Sequence, residues 1–505
     1  LPQAETAPFI IETPADRSHG DFATNAAMAG AKAFRMPPFK IAQAITSNLD
    51  LEGTMFDRFE TAGPGFINFF LGTEFYSAVI REILANPEAY GRSEYGRDEK
   101  VMVEFVSANP TGPMHMGNAR GGALGDCLAA VLDKAGYNAW REFYVNDAGN
   151  QIEKFGCSLE ARYLPKNISK MQADMEKYKI FYDKWFFESE LHKSGAVKAV
   201  VDLLTEKGLT YEKEGAVWYK NKEVLTQKLL KEGKSQKYID NLELKDDVLI
   251  RQNGNPTYFT ADIAYHKNKF DRGFTTLIDV WGADHHGHVM RMKGAMDAIG
   301  YDGDKLNVVL MQLVKLVKDG ELVKMSKRTG KAIQLGDLLD EVPVDSARFL
   351  FNTKEANTQM DFDLDLAVSQ DNQNPVYYVQ YAHARICSIF KSLAKEGISP
   401  RECTDAELAL LTAPEEKELI NHLASYTNEI ISAAKAVSYT KDYDPTKVTR
   451  YVTQLATLFH KFYNACRVKG EEEGLMQARL ALCNCVRAVI KNVLTMFNIS
   501  CPESM

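Results

Sequence analysis

Two short strings hold the residues best suited to handling phosphate. The first runs Asn109-Pro110-Thr111-Gly112-Pro113-Met114-His115-Met116-Gly117-Asn118-Ala119-Arg120. Gly117 would let a nucleotide come close to the backbone. A helix starting there points free N–H groups at an anion, and His115 can donate to a phosphate whose charge moves during transfer. The second string is Lys324-Met325-Ser326-Lys327-Arg328-Thr329-Gly330, about 200 residues further on and behind the polar turn Lys318-Asp319-Gly320-Glu321. Two lysines on a loop can neutralise charge developing on a departing pyrophosphate. Alone, each string also reads as a Gly/Pro turn with an incidental histidine or as a solvated basic loop. Their order and separation favour one shared nucleotide site.

Further candidates lie between them. Trp281-Gly282-Ala283-Asp284-His285-His286-Gly287-His288 offers one carboxylate and three imidazoles, which could ligate zinc. Tyr258 and Asp262 are four apart and would share a helix face. Glu188, in Trp185-Phe186-Phe187-Glu188-Ser189, has ordinary flanks and reads equally well as a surface acid. None of the eight cysteines forms a C-x-x-C pair, and Cys483 and Cys485 sit in a helical pattern. Reduced thiols and a cytoplasmic protein are the expectation.

These residues need a strand-loop-helix scaffold. Val101–Val106 reads as a strand, 117–135 as a helix and Trp140–Val145 as the next strand, a doubly wound α/β unit. Ligands bind at the strand C-termini of such sheets, where the first string falls. The Lys/Glu-rich stretch 151–245 reads as a mostly helical insertion, and strand signals resume at Val248–Arg251, Thr276–Trp281 and Val308–Val314. Before the sheet, Gly63-Pro64-Gly65 and the strand Phe66–Phe70, with helices around 36–48 and 73–86, indicate a small α/β domain. From Asn374 the pattern is helical, with Val379, Ala382, Ile386, Ile389 and Leu393 on one face and Leu482, Val486, Ile490, Val493 and Phe497 on another. The expected domains are 1–95, 96–365 with an insertion at about 155–245, and 366–505.

At 505 residues, 45% hydrophobic and 25% charged, the composition is that of an ordinary globular protein. No apolar run approaches the length of a membrane span, and LPQAETAPFI lacks the basic start and apolar core of a signal peptide. No initiator Met heads the chain, which leaves open a cut or missing start. The net charge of −8 argues mildly against a dedicated nucleic-acid coat protein. Residues 366–505 carry 15 Lys+Arg and 15 Asp+Glu, so a phosphate-binding surface is easier to build there.

His115-Met116-Gly117-Asn118 resembles the HIGH signature of class I aminoacyl-tRNA synthetases, with Asn118 in place of the last His. Lys324–Arg328 resembles their KMSKS loop, with Arg328 where a Ser often stands. Val103-Glu104-Phe105, Tyr144–Gln151, Thr257–Asp262 and Trp281–His288 are similar to strings of bacterial-type arginyl-tRNA synthetases. Tyr381-Ala382-His383-Ala384-Arg385 looks like the start of their helical anticodon-binding domain, although its Asp-Ala-Leu-Arg signature is strongly altered. The first 95 residues resemble the family's additional domain, which contacts the outer corner of tRNA.

The resemblance implies a class I Rossmann-like catalytic domain, flanked by the small N-terminal α/β domain and the all-α C-terminal domain. It implies ATP contacts from Pro110, Gly112, His115, Gly117, Asn118, Asp284, His285, Lys324, Met325, Ser326 and Lys327. It implies arginine contacts from Ser107, Asn109, Asp147, Glu188, Tyr258, Asp262 and His285. A planar, permanently charged guanidinium wants carboxylates in fork geometry. The implied reaction begins with attack of the arginine carboxylate on the ATP α-phosphorus. His115, Asn118, Lys324 and Lys327 stabilise the charge, and the terminal ribose hydroxyl of the arginine tRNA then takes the arginyl group. Family members usually need tRNA for the first step. Mg²⁺ would arrive with ATP, and no protein-held metal, no membrane association and a monomer are expected. The rival readings are a class I synthetase for another amino acid, a metallohydrolase on Asp284, His285, His286 and His288, and a non-catalytic tRNA-binding relative.

Overall fold

Val101, Met102 and Val103 are closed off on both faces, as expected of a central parallel strand covered by helices on either side. They belong to β1 (Lys100–Glu104). The computed structural model describes residues 5–110, 112–148, 157–323, 333–435 and 443–505. From β1 the chain loops into α1 (Gly117–Lys134) and returns as β2 (Asn138–Val145). Next come β3 (Lys184–Phe187), α2 (Tyr258–Asp271), β4 (Thr276–Gly282), α3 (His286–Ile299) and β5 (Leu306–Met311). The five strands pair in parallel in the order β5-β4-β1-β2-β3. The strand order reverses between β1 and β4, which opens a crevice beyond their carboxyl ends.

α1 lies close against the β1 loop. A Cβ on Gly125 would fall 2.2 Å from the Phe105 ring, so only glycine fits there. Arg120 and Arg348 anchor the packing. Arg120 is buried without a carboxylate and donates to the carbonyls of Gln312, Thr358, Lys354 and Glu355. Burial lowers its pKa to about 10. Those four bonds tie the first turn of α1 to the chain that follows β5. Arg348 pairs with Asp126 of α1 and donates to the Phe497 carbonyl at 2.7 Å, joining the sheet domain to the last helix.

Three expectations need correction. Val248–Arg251 does not belong to the second half of the parallel sheet: Asp247–Ile250 pairs antiparallel with Ala216–Tyr219, which pairs with Thr210–Lys213. The stretch 151–245 is not wholly an insertion either, because β3 forms the far edge of the main sheet by pairing with Glu142–Val145. The predicted strand Val308–Val314 is divided into β5 and Val314–Lys318, the latter hairpinned to Glu321–Val323.

The N-terminal unit is a four-stranded sheet of Ile11–Glu12, Phe22–Thr24, Phe66–Leu71 and Phe56–Ala62, in that order, covered by Ala26–Phe34 and Pro38–Thr46. The C-terminal helices include Pro375–Ala394, Thr446–Ala465 and Glu473–Met496. Leu482, Val486, Ile490, Val493 and Phe497 form a fully buried face there. Among the described residues no helix is long and apolar enough to cross a membrane.

Candidate active site

Beneath the crevice lies a buried charge network. Lys269 of α2 donates to Glu104 at 2.5 Å and to Asp279 at 2.8 Å. His266 donates from Nε2 to Asp279 and from Nδ1 to the Asp262 carbonyl, 2.7 Å in each case. Both ring nitrogens of His266 thus face oxygen atoms. Burial alone would raise Asp279, but Lys269 and His266 hold it at about 2. Burial likewise opposes the charge on Lys269, yet Asp279 and Glu104 push its pKa up to about 12. Glu104 shares Lys269 with the more acidic Asp279, and burial keeps its pKa raised. Glu104, His266 and Asp279 lie close enough together to hold a metal ion, but the Lys269 ammonium already serves as their cation.

The network positions the loop after β1. Ser107 donates to Glu104 at 2.7 Å and accepts from the Tyr144 N–H at 3.1 Å. Val106 and Ser107 have φ of 73° and 24°. A left-handed β-branched residue is strained, and the two Ser107 bonds help hold that turn. The crevice above is lined by Ser107, Ala108 and Asn109 after β1, by Tyr144 and Asn146 at β2, and by Asp262, Tyr265 and His266 on α2. Trp281, Gly282, His285 and His288 close its β4 side.

Of the residues expected to meet an amino acid, Ser107, Asn109, Asp262 and His285 therefore share one wall. Glu188 lies behind Tyr144, whose hydroxyl donates to it at 2.8 Å, and His192 faces its other oxygen at 3.3 Å. Burial raises the Glu188 pKa, the hydrogen bonds from Tyr144 and His192 oppose that, and Asp262 adds to it. Asp147 accepts the Ser189 N–H at 2.8 Å and so braces the start of the Glu188 helix instead of lining the crevice. Tyr258 is 41% exposed, with Arg251 over its ring, and the structure does not bring it to the wall. Four residues of helix rise about 6 Å, which separates Tyr258 from Asp262 along the axis.

At the phosphate end, α1 begins at Gly117 with His115 and Gly117 exposed. The Asn118 side-chain oxygen accepts the His115 N–H at 3.1 Å, which leaves its amide group to donate elsewhere. Pro110 is buried and its carbonyl accepts from Asn167 at 2.9 Å, while Gly112 is half-buried with open space at its Cβ position. Lys324, Met325, Ser326 and Lys327 lie outside the described residues. Asp284, His285, His286 and His288 do not converge on a point. Asp284 and His285 are 3.8 Å apart and exposed, His286 is exposed, and His288 turns to Asp262 at 3.1 Å.

Sequence reasoning passed over Tyr265, His266, Lys269 and Asp279. The signal was present in α2: Asp262, Tyr265, His266 and Lys269 follow the spacing of one helical face, and that face is polar where a core face should be apolar.

A parallel sheet with a crevice at its strand reversal and a helix starting beside it has the layout of the catalytic domain of a class I aminoacyl-tRNA synthetase. Comparison with known proteins agrees. A model of the class I (R) tRNA synthetase catalytic domain matches residues 79–232 and 188–387. The arginyl tRNA synthetase N-terminal domain matches 1–71 and the DALR anticodon-binding domain 379–505. The chain is 49% identical to an arginine–tRNA ligase of Ruminiclostridium cellulolyticum, over all of this chain and 95% of that one. It is 48% identical to that of Acetivibrio thermocellus, with the same coverage. Thermus thermophilus arginyl-tRNA synthetase shares the fold, with a TM-score of 0.77 at 21% identity over 98% of this chain and 96% of that one. The chain belongs to the arginyl-tRNA synthetase family, and its activity is the ATP-dependent ligation of arginine to tRNA.

Proposed function

We propose that the crevice between β1 and β4 holds arginine, with its guanidinium toward Asp262 and its α-amino group toward Ser107 and Asn109. The observation that carries this reading is the convergence of those three side chains with Tyr144 and His285 on one wall. Glu188 adds negative charge from behind Tyr144, and Tyr258 stands one helical turn from Asp262. The arginine carboxylate then points toward the start of α1, where His115 and Asn118 meet the α-phosphate of ATP and Lys324 and Lys327 the departing phosphates. Catalysis is positioning plus electrostatics, with no covalent nucleophile on the protein. Mg²⁺ would be carried chiefly by the ATP phosphates.

The arginine tRNA would reach the crevice with its 3′ end while its anticodon arm lies on residues 366–505. A groove there is lined by Arg385, Tyr463, Asn464, Arg467 and Lys469. Arg385 sits over the Tyr463 ring, 5.2 Å from its centroid. Cations beside a ring suit phosphate and base together.

The test is steady-state charging with arginine and tRNA. Ser107→Ala and Asp262→Asn should raise the KM for arginine, by about tenfold or more for Asp262→Asn. The KM for ATP should stay within a few-fold of wild type. Loss confined to ATP would place arginine elsewhere.

A further inference from the structure

His288 is absorbed by neither the ATP nor the arginine assignments, yet it stands in the crevice wall with its Nε2 3.1 Å from Oδ2 of Asp262. It lies in the first turn of α3 and packs against Trp281 and Phe259, with ring centroids 5.4 and 5.7 Å away. That packing fixes the plane of the imidazole. A carboxylate only accepts, so Nε2 carries the proton and donates. Asp262 is consequently held at two points by two histidines: His266 donates to its carbonyl at 2.7 Å and His288 to its carboxylate. The side chain of Asp262 is about one-third exposed, and without that donor it would rotate freely at the edge of the crevice.

We infer that His288 is a specificity-determining positioning residue: it fixes the Asp262 carboxylate in the plane that receives a guanidinium. This rests on the proposed role of Asp262. A planar fork reads the orientation of its acceptor, whereas an ammonium does not. Loss of the donor should therefore weaken arginine selectively and leave the nucleotide end untouched.

His288→Phe removes the donor and keeps a ring between Trp281 and Phe259. His288→Gln keeps an N–H near the Nε2 position and loses the ring. Expected are a KM for arginine raised about tenfold in His288→Phe, from loss of one hydrogen bond to a charged group, and one within threefold of wild type in His288→Gln. The KM for ATP should be unchanged in both. In the double variant with Asp262→Asn, His288→Phe should add less than twofold to the single Asp262→Asn effect. If His288→Phe does not fold, His288→Met replaces it.

An unchanged KM for arginine in the donor-less variant overturns the inference. So does equal impairment of the Phe and Gln variants, because a retained N–H would then restore nothing, or a KM for ATP that rises in step. Asp262→Asn separates the two readings. If it leaves arginine binding intact, the pocket assignment itself falls. If it is impaired while His288→Phe is silent, only the role of His288 falls.

Discussion

The Lys269 ammonium lies 2.5 Å from a carboxylate oxygen of Glu104, and both side chains are buried. The same ammonium reaches Asp279, and Glu104 in turn receives the Ser107 hydroxyl. The lysine thus supports the loop that lines the crevice without touching the crevice itself.

Lys269→Met should be severely destabilising, by about 3–5 kcal/mol, because two buried carboxylates lose their shared partner. Chemical denaturation measures this directly. The pH dependence carries a second signature. A lysine moved from its ordinary value of 10.5 to about 12 on folding contributes stability that is complete below the unfolded value. It is lost as pH rises through the folded one. The stability gap between wild type and Lys269→Met should hold steady up to about pH 10 and narrow by about 2 kcal/mol toward pH 12. A constant gap across that range would mean that Lys269 is not held as a buried cation.

His115→Ala should lower kcat for adenylate formation by roughly 10²–10³-fold and change the KM for ATP little. His115 is exposed at the start of α1, and its backbone N–H is held by Asn118. The loop therefore keeps its shape when the imidazole is removed. Steady-state ATP–pyrophosphate exchange at varied ATP, with tRNA present, separates the two parameters. A raised KM with unchanged kcat would make His115 a ground-state contact only.

What the sequence disclosed depended on how local each feature is. The strand, loop and helix around Asn109–Gly117 are contiguous, so their type and order could be read directly. β3 is four residues long in a charged region and becomes a strand only by pairing with Glu142–Val145. Val248–Ile250 has strand character by itself, but its partner, Ala216–Tyr219, is chosen by tertiary packing. Asp262 and Tyr258 share one helix, as their spacing predicts. Helical periodicity gives a face, though, not how far along the axis a crevice extends, and Tyr258 stands a turn beyond the wall. The Lys269 network joins β1, α2 and β4, segments up to 175 residues apart. No spacing rule connects Glu104 to Lys269, although the polar face of α2 indicated that something charged lay beneath it.

Arg467→Ala and Lys469→Ala should weaken tRNA binding and leave the KM for ATP unchanged. Deleting residues 366–505 is a poorer test, because Phe497 accepts a hydrogen bond from the buried Arg348 of the catalytic domain. Each cation that neutralises a phosphate adds nearly one unit to the slope of log affinity against log salt. The double variant should therefore bind less tightly in low salt and with a slope shallower by about one to two. Filter binding over a range of salt concentrations checks both. An unchanged slope would place the phosphate contacts elsewhere on the protein.

Glu188 gives the reaction a pH dependence of defined sign. Its carboxylate is buried against Tyr144 and His192, and burial together with Asp262 keeps its pKa above the ordinary glutamate value. Only the ionised form attracts a guanidinium, so the KM for arginine should rise as pH falls through the weakly acidic range. The limit is about tenfold per pH unit for one proton. Glu188→Gln should show a high KM throughout and lose that component of the pH dependence. Lysine should stay a poor substrate, because a point charge cannot satisfy two separated acceptors. Stability moves the other way. A carboxylate whose folded pKa is raised destabilises the empty protein wherever it is ionised. Glu188→Gln should thus leave the empty protein at least as stable as wild type above that pKa, while reducing the gain in Tm that saturating arginine provides. Calorimetry with and without arginine at pH 8 reads both effects. A variant that is less stable when empty yet fully protected by arginine would make Glu188 a structural acid and leave Asp262 as the carboxylate that reads the guanidinium.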